Sequence, residues 1–191
     1  MAKRRTKKIP SAKGKVSSTI PENHKNPVQE TNGFSFYSVY PNWIKGIEYS
    51  SRGADFVNYT NSSEEFSRNM TEIITEFIPK LYDEYDSLFN NHSRAYNCHP
   101  VSDDKINFVM EIAENIHQTE FSLEQLKEAR YQWWYLGFKQ SVRLVGLYNF
   151  GEKAFYPIFI DHHHLLHADI NYNQPDYSKY SYCPIEEYKK K

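Results

Sequence analysis

Residues 142–160, VRLVGLY-NFGEK-AFYPIFI, limit the fold more than any other stretch. Two apolar runs flank five residues that include Gly151, the pattern of a β-hairpin with a longer loop. The second run is apolar on both faces, so it belongs in the middle of a sheet. Directly opposed residues in such a hairpin are found by counting outward from the loop. That count sets Tyr148 against Ala154 and puts Arg143 opposite Phe159 or Ile160.

Upstream the period is helical. Ser62 or Ser63 caps a helix with Glu64 and Glu65 in its first turn. Phe66, Met70, Ile73, Ile74, Phe77, Leu81, Tyr85 and Leu88 then recur at helical spacing and share one face. Pro79 removes a backbone donor inside this pattern, which predicts a kink or a break. Ser102 caps a second helix with the stripe Ile106, Val109, Met110, Ala113 and Ile116. Ser122-Leu123-Glu124-Gln125 reads as a capping box. It opens a third helix carrying Leu123, Leu126, Trp133 and Trp134, which Gly137 ends. Short strands are expected at 34–39 and 54–60, and an edge strand at 165–172. Strand, helices, then strands is an α+β order: an antiparallel sheet with helices packed on one face.

Charge divides the chain further. Lys3, Arg4, Arg5, Lys7, Lys8, Lys13 and Lys15 occupy the first 20 residues without one acid. The rest holds 16 basic and 24 acidic residues, a balance of −8. Residues 1–32 therefore read as a disordered basic tail that favours phosphate-rich partners by counterion release. A single domain spans 33–175, and 176–191 reads as an irregular C-terminal tail. No apolar stretch approaches a membrane span, and no apolar segment follows the basic start. Two cysteines 85 residues apart make no disulfide framework. The expectation is a reduced, cytoplasmic protein with no membrane contact and no cofactor.

The chemistry-bearing residues cluster after the hairpin. Asp161-His162-His163-His164-Leu165-Leu166-His167 begins where the buried strand should emerge. Alternation places His162 and His164 on one face unless Asp161 starts a turn. Three readings fit. Imidazoles bind zinc, with Cys98, His99 and Cys183 as further ligands, although no close cysteine pair occurs. Histidine also serves as acid or base at a phosphodiester, with Arg143 nearby to meet developing charge. Histidines at a strand end can equally be structural. The segment 91–100, with Arg94, Cys98 and His99, forms a second polar cluster between helices. Trp133, Trp134 and Tyr131 read as core or as stacking surfaces.

Several pieces together resemble a group of small, largely uncharacterised bacterial α+β proteins. They are Phe34-Ser35-Phe36, Ser93-Arg94 with Cys98-His99-Pro100, Arg143-Leu144-Val145-Gly146, and Phe155-Tyr156-Pro157-Ile158-Phe159-Ile160-Asp161 with His164 three residues on. In that group an aromatic-rich strand leads into D-x-x-H. The strand order and hairpin are also similar to the RelE/HigB-type toxins of toxin–antitoxin systems, small ribonucleases that cut mRNA on the ribosome without metal. The resemblance implies a RelE-like core, with Arg143 and His164 in the site and Arg94 and His99 in support. The expected function is a toxin-like or phage-defence endoribonuclease. It would use Arg143, His164 and His167 for catalysis, and Lys3, Arg4, Arg5, Lys7, Lys8, Arg94 and His99 for RNA binding. The expected partners are RNA or the ribosome, and an antitoxin protein. The alternative is a non-catalytic module that binds nucleic acid or protein through the basic tail and a tyrosine-rich surface.

Overall fold

The computed structural model describes residues 33–51, 53–90, 96–138, 142–167 and 177–190. The chain divides into residues 1–30 and 31–191, and all described residues lie in the second unit. The basic segment 1–32, and with it Lys3, Arg4, Arg5, Lys7 and Lys8, lies outside the described residues, as does Arg94.

The hairpin forms the centre. β6 (Arg143–Asn149) pairs antiparallel with β7 (Ala154–Asp161). β5 (Tyr131–Leu136) adds to β6, and β4 (His99–Pro100) to β5, both antiparallel. β1 (Ser35–Phe36) completes the other edge, parallel to β7, so the sheet order is β1-β7-β6-β5-β4. The sheet is therefore mixed rather than purely antiparallel. The register also differs from the simple count. Asn149 pairs with Ala154, so the loop is one residue shorter, and the register shifts again between Val145 and Gly146. Arg143 consequently faces Asp161, not Phe159 or Ile160.

The shift falls where Gly146 pairs with Pro157. Proline gives no ladder donor and is tolerated at a bulge. A Cβ on Gly146 would lie 2.3 Å from the Tyr156 carbonyl oxygen and 2.6 Å from Phe155 Cζ. The first of these atoms is backbone and cannot swing away. Gly146→Ala is expected to cost about 1–3 kcal/mol through overpacking. It should lower the urea midpoint at unchanged slope. An unchanged midpoint would refute this account of the bulge.

Helices cover both faces, which corrects the expectation of one. On one face Trp134, Leu136, Leu144, Tyr148, Phe155 and Ile160 pack with Phe77, Leu81 and Phe89. Phe89 stacks flat on Tyr148, ring centroids 3.8 Å apart. On the other face Trp133, Tyr135, Val145, Leu147, Ile158 and Phe159 pack with Val109, Ile112 and Ile116. The strands are apolar on both faces because both faces are covered.

The first face is supplied by α1 (Ser63–Glu72), a π-helical turn (Ile73–Phe77) and α2 (Ile78–Asn90). Ser62 accepts from the Glu65 N–H at the start, as the sequence indicates. Pro79 does not end the helix, because the π turn runs directly into α2 and Pro79 falls in the first turn of α2. The wider π turn just before it opens space for the ring and absorbs the lost bond. That turn also shifts the helix phase, and Ile74 is left 57% exposed rather than buried. The second face is supplied by α3 (Asp103–His117) and by a separate hairpin of β2 (Glu48–Ser51) with β3 (Ala54–Val57).

Two further expectations are corrected. The third helix is only α4 (Leu123–Glu128); Trp133 and Trp134 belong to β5. Arg130, at φ 61°, turns the chain between them without a glycine. The C-terminal segment is not irregular throughout, because α5 (Pro184–Lys189) follows a bridge between Thr60 and Tyr182. The expected edge strand at 165–172 is a 3-10 turn at Leu165–His167, and 168–172 lies outside the described residues. No helix among the described residues is long and apolar enough to cross a membrane.

Candidate functional site

Asp161 ends β7 and begins a turn. Its carboxylate is fully buried. One oxygen accepts from the N–H groups of His163 (3.2 Å) and Leu165 (3.0 Å). The other accepts from the Leu166 N–H (3.0 Å) and the Tyr135 hydroxyl (3.2 Å). This is how an acidic side chain caps a short helical turn whose first N–H groups have no backbone partner. It breaks strand alternation at once, so the three consecutive histidines point to different places.

His162 and His163 turn inward and are buried. His162 Nδ1 lies 3.0 Å from the Asn69 amide nitrogen, which can only donate, so Nδ1 accepts and Nε2 carries the proton. Burial, then the neighbouring His163, pushes the His162 pKa down to about 3. His163 Nε2 donates to the Tyr59 carbonyl at 2.7 Å. Both rings have structural work, tying the end of β7 to α1 and to the segment after β3.

His164 and His167 instead remain half-buried and gather with His99 around the Tyr135 ring. Tyr135 lies opposite His99 in the ladder. Its ring centroid is 4.8 Å from His167, 5.5 Å from His99 and 5.9 Å from His164. His99 and His167 are 4.9 Å apart, edge to face, and His164 is 6.5 Å from His167. His164 adopts φ 59°, a left-handed conformation uncommon outside glycine and polar turn residues. That turn aims the chain back toward Tyr135.

Electrostatics separates the groups. His99 Nδ1 donates to the Pro100 carbonyl at 2.9 Å, leaving Nε2 with the lone pair when the ring is neutral. Burial, then Lys105, His99 and His164, pushes the His167 pKa down to about 4, so this ring is neutral at pH 7. Lys105 is held there by a bond to the Leu166 carbonyl. Burial, then Asp161, pushes the Tyr135 phenol far up, and it stays a hydrogen-bond donor.

Arg143 forms the back wall. It is only 5% exposed, and its Nη1 donates to the Val142 carbonyl at 2.9 Å. A Cβ on Gly137 would lie 2.4 Å from Arg143 Cδ and Nε. Gly137 therefore does not end a helix; it leaves room for the arginine stem. Arg143 is close enough to favour the ionised forms of Tyr135 and Cys98. Burial nonetheless pushes the Cys98 thiol up to about 12, the reverse of an activated nucleophile.

Of the residues singled out from sequence, His99, His164 and His167 come together around Tyr135, while Arg143 lies across the ladder from Asp161 and within electrostatic reach of Tyr135. His162 and His163 do not join them. Tyr135 and Lys105 were missed, as was the capping role of Asp161. An acid just before a short polar turn could have signalled the last. Cys183 accepts from the Gly46 N–H at 3.3 Å, far in sequence from Cys98, and both thiols are buried. Among the described residues no group of three or more His, Cys, Asp or Glu is arranged to hold a metal ion.

The model for a family described as "Uncharacterised protein UU032" matches residues 38–190. A protein of the same description from Ureaplasma parvum serovar 3 is 28% identical over 153 residues, which cover 79% of this chain and 79% of that protein. No solved structure matches the chain.

Proposed function

The chain belongs to the UU032 family, and we propose that its imidazole group cuts single-stranded RNA by metal-independent acid–base chemistry. The observation that carries the reading is three half-buried imidazoles around one buried tyrosine, with Lys105 in electrostatic reach of His167 and Arg143 in reach of Tyr135. Such cleavage needs a base, an acid and positive charge where the phosphorane charge develops.

His99 is the base, oriented through Nδ1 with Nε2 free to take the proton of a ribose 2′-hydroxyl. The resulting oxygen attacks phosphorus, and the 5′-oxygen leaves as His164 donates a proton. The products are a 2′,3′-cyclic phosphate and a 5′-hydroxyl. His167, held neutral, sits against His99 and keeps a second cation away from the base. Lys105 meets the phosphate, while Arg143, behind Gly137, contributes positive potential from the wall. The resemblance of the strand order and terminal hairpin to RelE/HigB-type toxins supports the same substrate, and the basic first 20 residues suit a phosphate-rich partner.

The test is cleavage of a labelled oligoribonucleotide by purified protein with chelator present. Wild type is expected to yield cyclic-phosphate ends. His99→Ala and His164→Ala should each lose about 10²–10⁴-fold in rate. A substrate with 2′-deoxyribose at the cut site should resist. Intact RNA with wild type, or both variants cutting at the wild-type rate, would remove the proposal.

A further inference from the structure

One sizeable cavity lies apart from the imidazole group. It lies between α3, α4 and the outer side of β5, and encloses about 510 Å³. That volume is within the range of small-molecule sites. Its walls are apolar and aromatic: Ile106 from α3, Leu123 from α4, Tyr131 and Trp133 from β5, and Phe150 from the β6–β7 loop. Two cations, Lys127 and Arg130, line it, against one acid, Asp103, among the described lining residues.

Its construction has local causes. The β4 ladder continues only as far as the Val101 N–H, which donates to the Trp133 carbonyl at 2.9 Å. Beyond that point no strand among the described residues pairs with the edge of β5, and α4 folds back across it. The fold-back is made at Arg130, whose left-handed backbone is a strained conformation for an L side chain. The Arg130 carbonyl accepts from the Phe150 N–H at 3.1 Å, so the guanidinium and the Phe150 ring are tied to the same rim.

We propose that this cavity binds a small planar aromatic anion: a flat ring against the Tyr131 and Phe150 walls, with its phosphate or carboxylate on Lys127 and Arg130. Charge complementarity selects the anion, and the aromatic walls select the flat body. A nucleoside monophosphate and an aromatic carboxylate share this chemistry. Val101, which lines the cavity, lies two residues beyond His99, just past the end of β4. The inference does not depend on RNA cleavage, because binding is measured without turnover.

The test is calorimetric titration of the full chain with adenosine 5′-monophosphate, uridine 5′-monophosphate, indole-3-acetate, adenosine and inorganic phosphate. At least one aromatic anion should saturate with Kd below about 1 mM. Lys127→Ala/Arg130→Ala should weaken it at least about tenfold, the scale of one charge-assisted hydrogen bond. Both side chains are exposed, so the fold should survive, as circular dichroism would check. Tighter binding of the monophosphates identifies a nucleotide site; tighter binding of indole-3-acetate identifies a carboxylate site. The proposal is overturned by no saturation with any aromatic anion, by equal binding to the double variant, or by inorganic phosphate or adenosine binding as tightly as the aromatic anions.

Discussion

Replacing Asp161 with alanine is expected to cost about 3–5 kcal/mol, the scale of removing one member of a buried charged network. The carboxylate is fully buried and accepts four hydrogen bonds, three from backbone N–H groups and one from the Tyr135 hydroxyl. Alanine leaves those donors in a place water does not reach, and each unsatisfied group carries a desolvation penalty of about 1–3 kcal/mol. It also removes the negative charge directly across the ladder from Arg143. Against a total stability of about 5–15 kcal/mol this is a large fraction, and the alanine variant should unfold at much lower urea. Asp161→Asn keeps the shape and one acceptor oxygen, so it should lose less. The turn through Leu165–His167 is held by the same carboxylate. Its loosening should also release His164 and His167 from Tyr135, visible as sharpened, solvent-like imidazole resonances. An alanine variant within about 1 kcal/mol of wild type would show that the turn stands without its cap.

The same residue explains what the sequence could and could not reveal. The hairpin at 142–160 was legible because strand period, a glycine-containing loop and apolar runs agree. Its register was not. A one-residue shorter loop and a bulge opposite Gly146 together move Arg143 by two places, from Phe159 to Asp161. Neither leaves a clear mark in sequence, although Pro157 inside a central strand is a hint. The two-sided cover was readable in principle from strands without polar alternation. The Ser122 cap was also right, since Ser122 accepts from the Gln125 N–H. The helix it opens stops six residues on, because Arg130 takes a turn conformation normally signalled by glycine or asparagine. Without that signal, Trp133 and Trp134 read as helix, and Tyr135 could not be seen as the centre of the site. His99, Arg143, His164 and His167 were found from residue chemistry. The meeting of the three imidazoles at Tyr135 depends on the β5 ladder, which local pattern could not supply.

Acid should destabilise this protein well before its carboxylates protonate. His162 is buried and neutral, with Nδ1 committed to the Asn69 amide. Its pKa is about 3 in the folded chain, against 6.5 for the ordinary side chain. The folded value is depressed, so below pH 6.5 the unfolded chain takes up the proton first. Stability from the neutral ring is complete above about pH 6.5 and is lost as pH falls toward the folded value. The loss approaches tenfold in the folding equilibrium per pH unit. His167, lowered in the same direction but half-exposed, adds a smaller slope. Between pH 6.5 and 5 ordinary carboxylates stay largely ionised, so this window isolates the histidines. Urea midpoints measured at pH 7, 6 and 5 should fall steadily in wild type. His162→Gln can still accept from Asn69 through its amide oxygen but cannot titrate, so its midpoint should fall less steeply whatever its stability at pH 7. Equal slopes for the two proteins, or a wild-type midpoint flat across the window, would place the protonation-sensitive step somewhere other than His162.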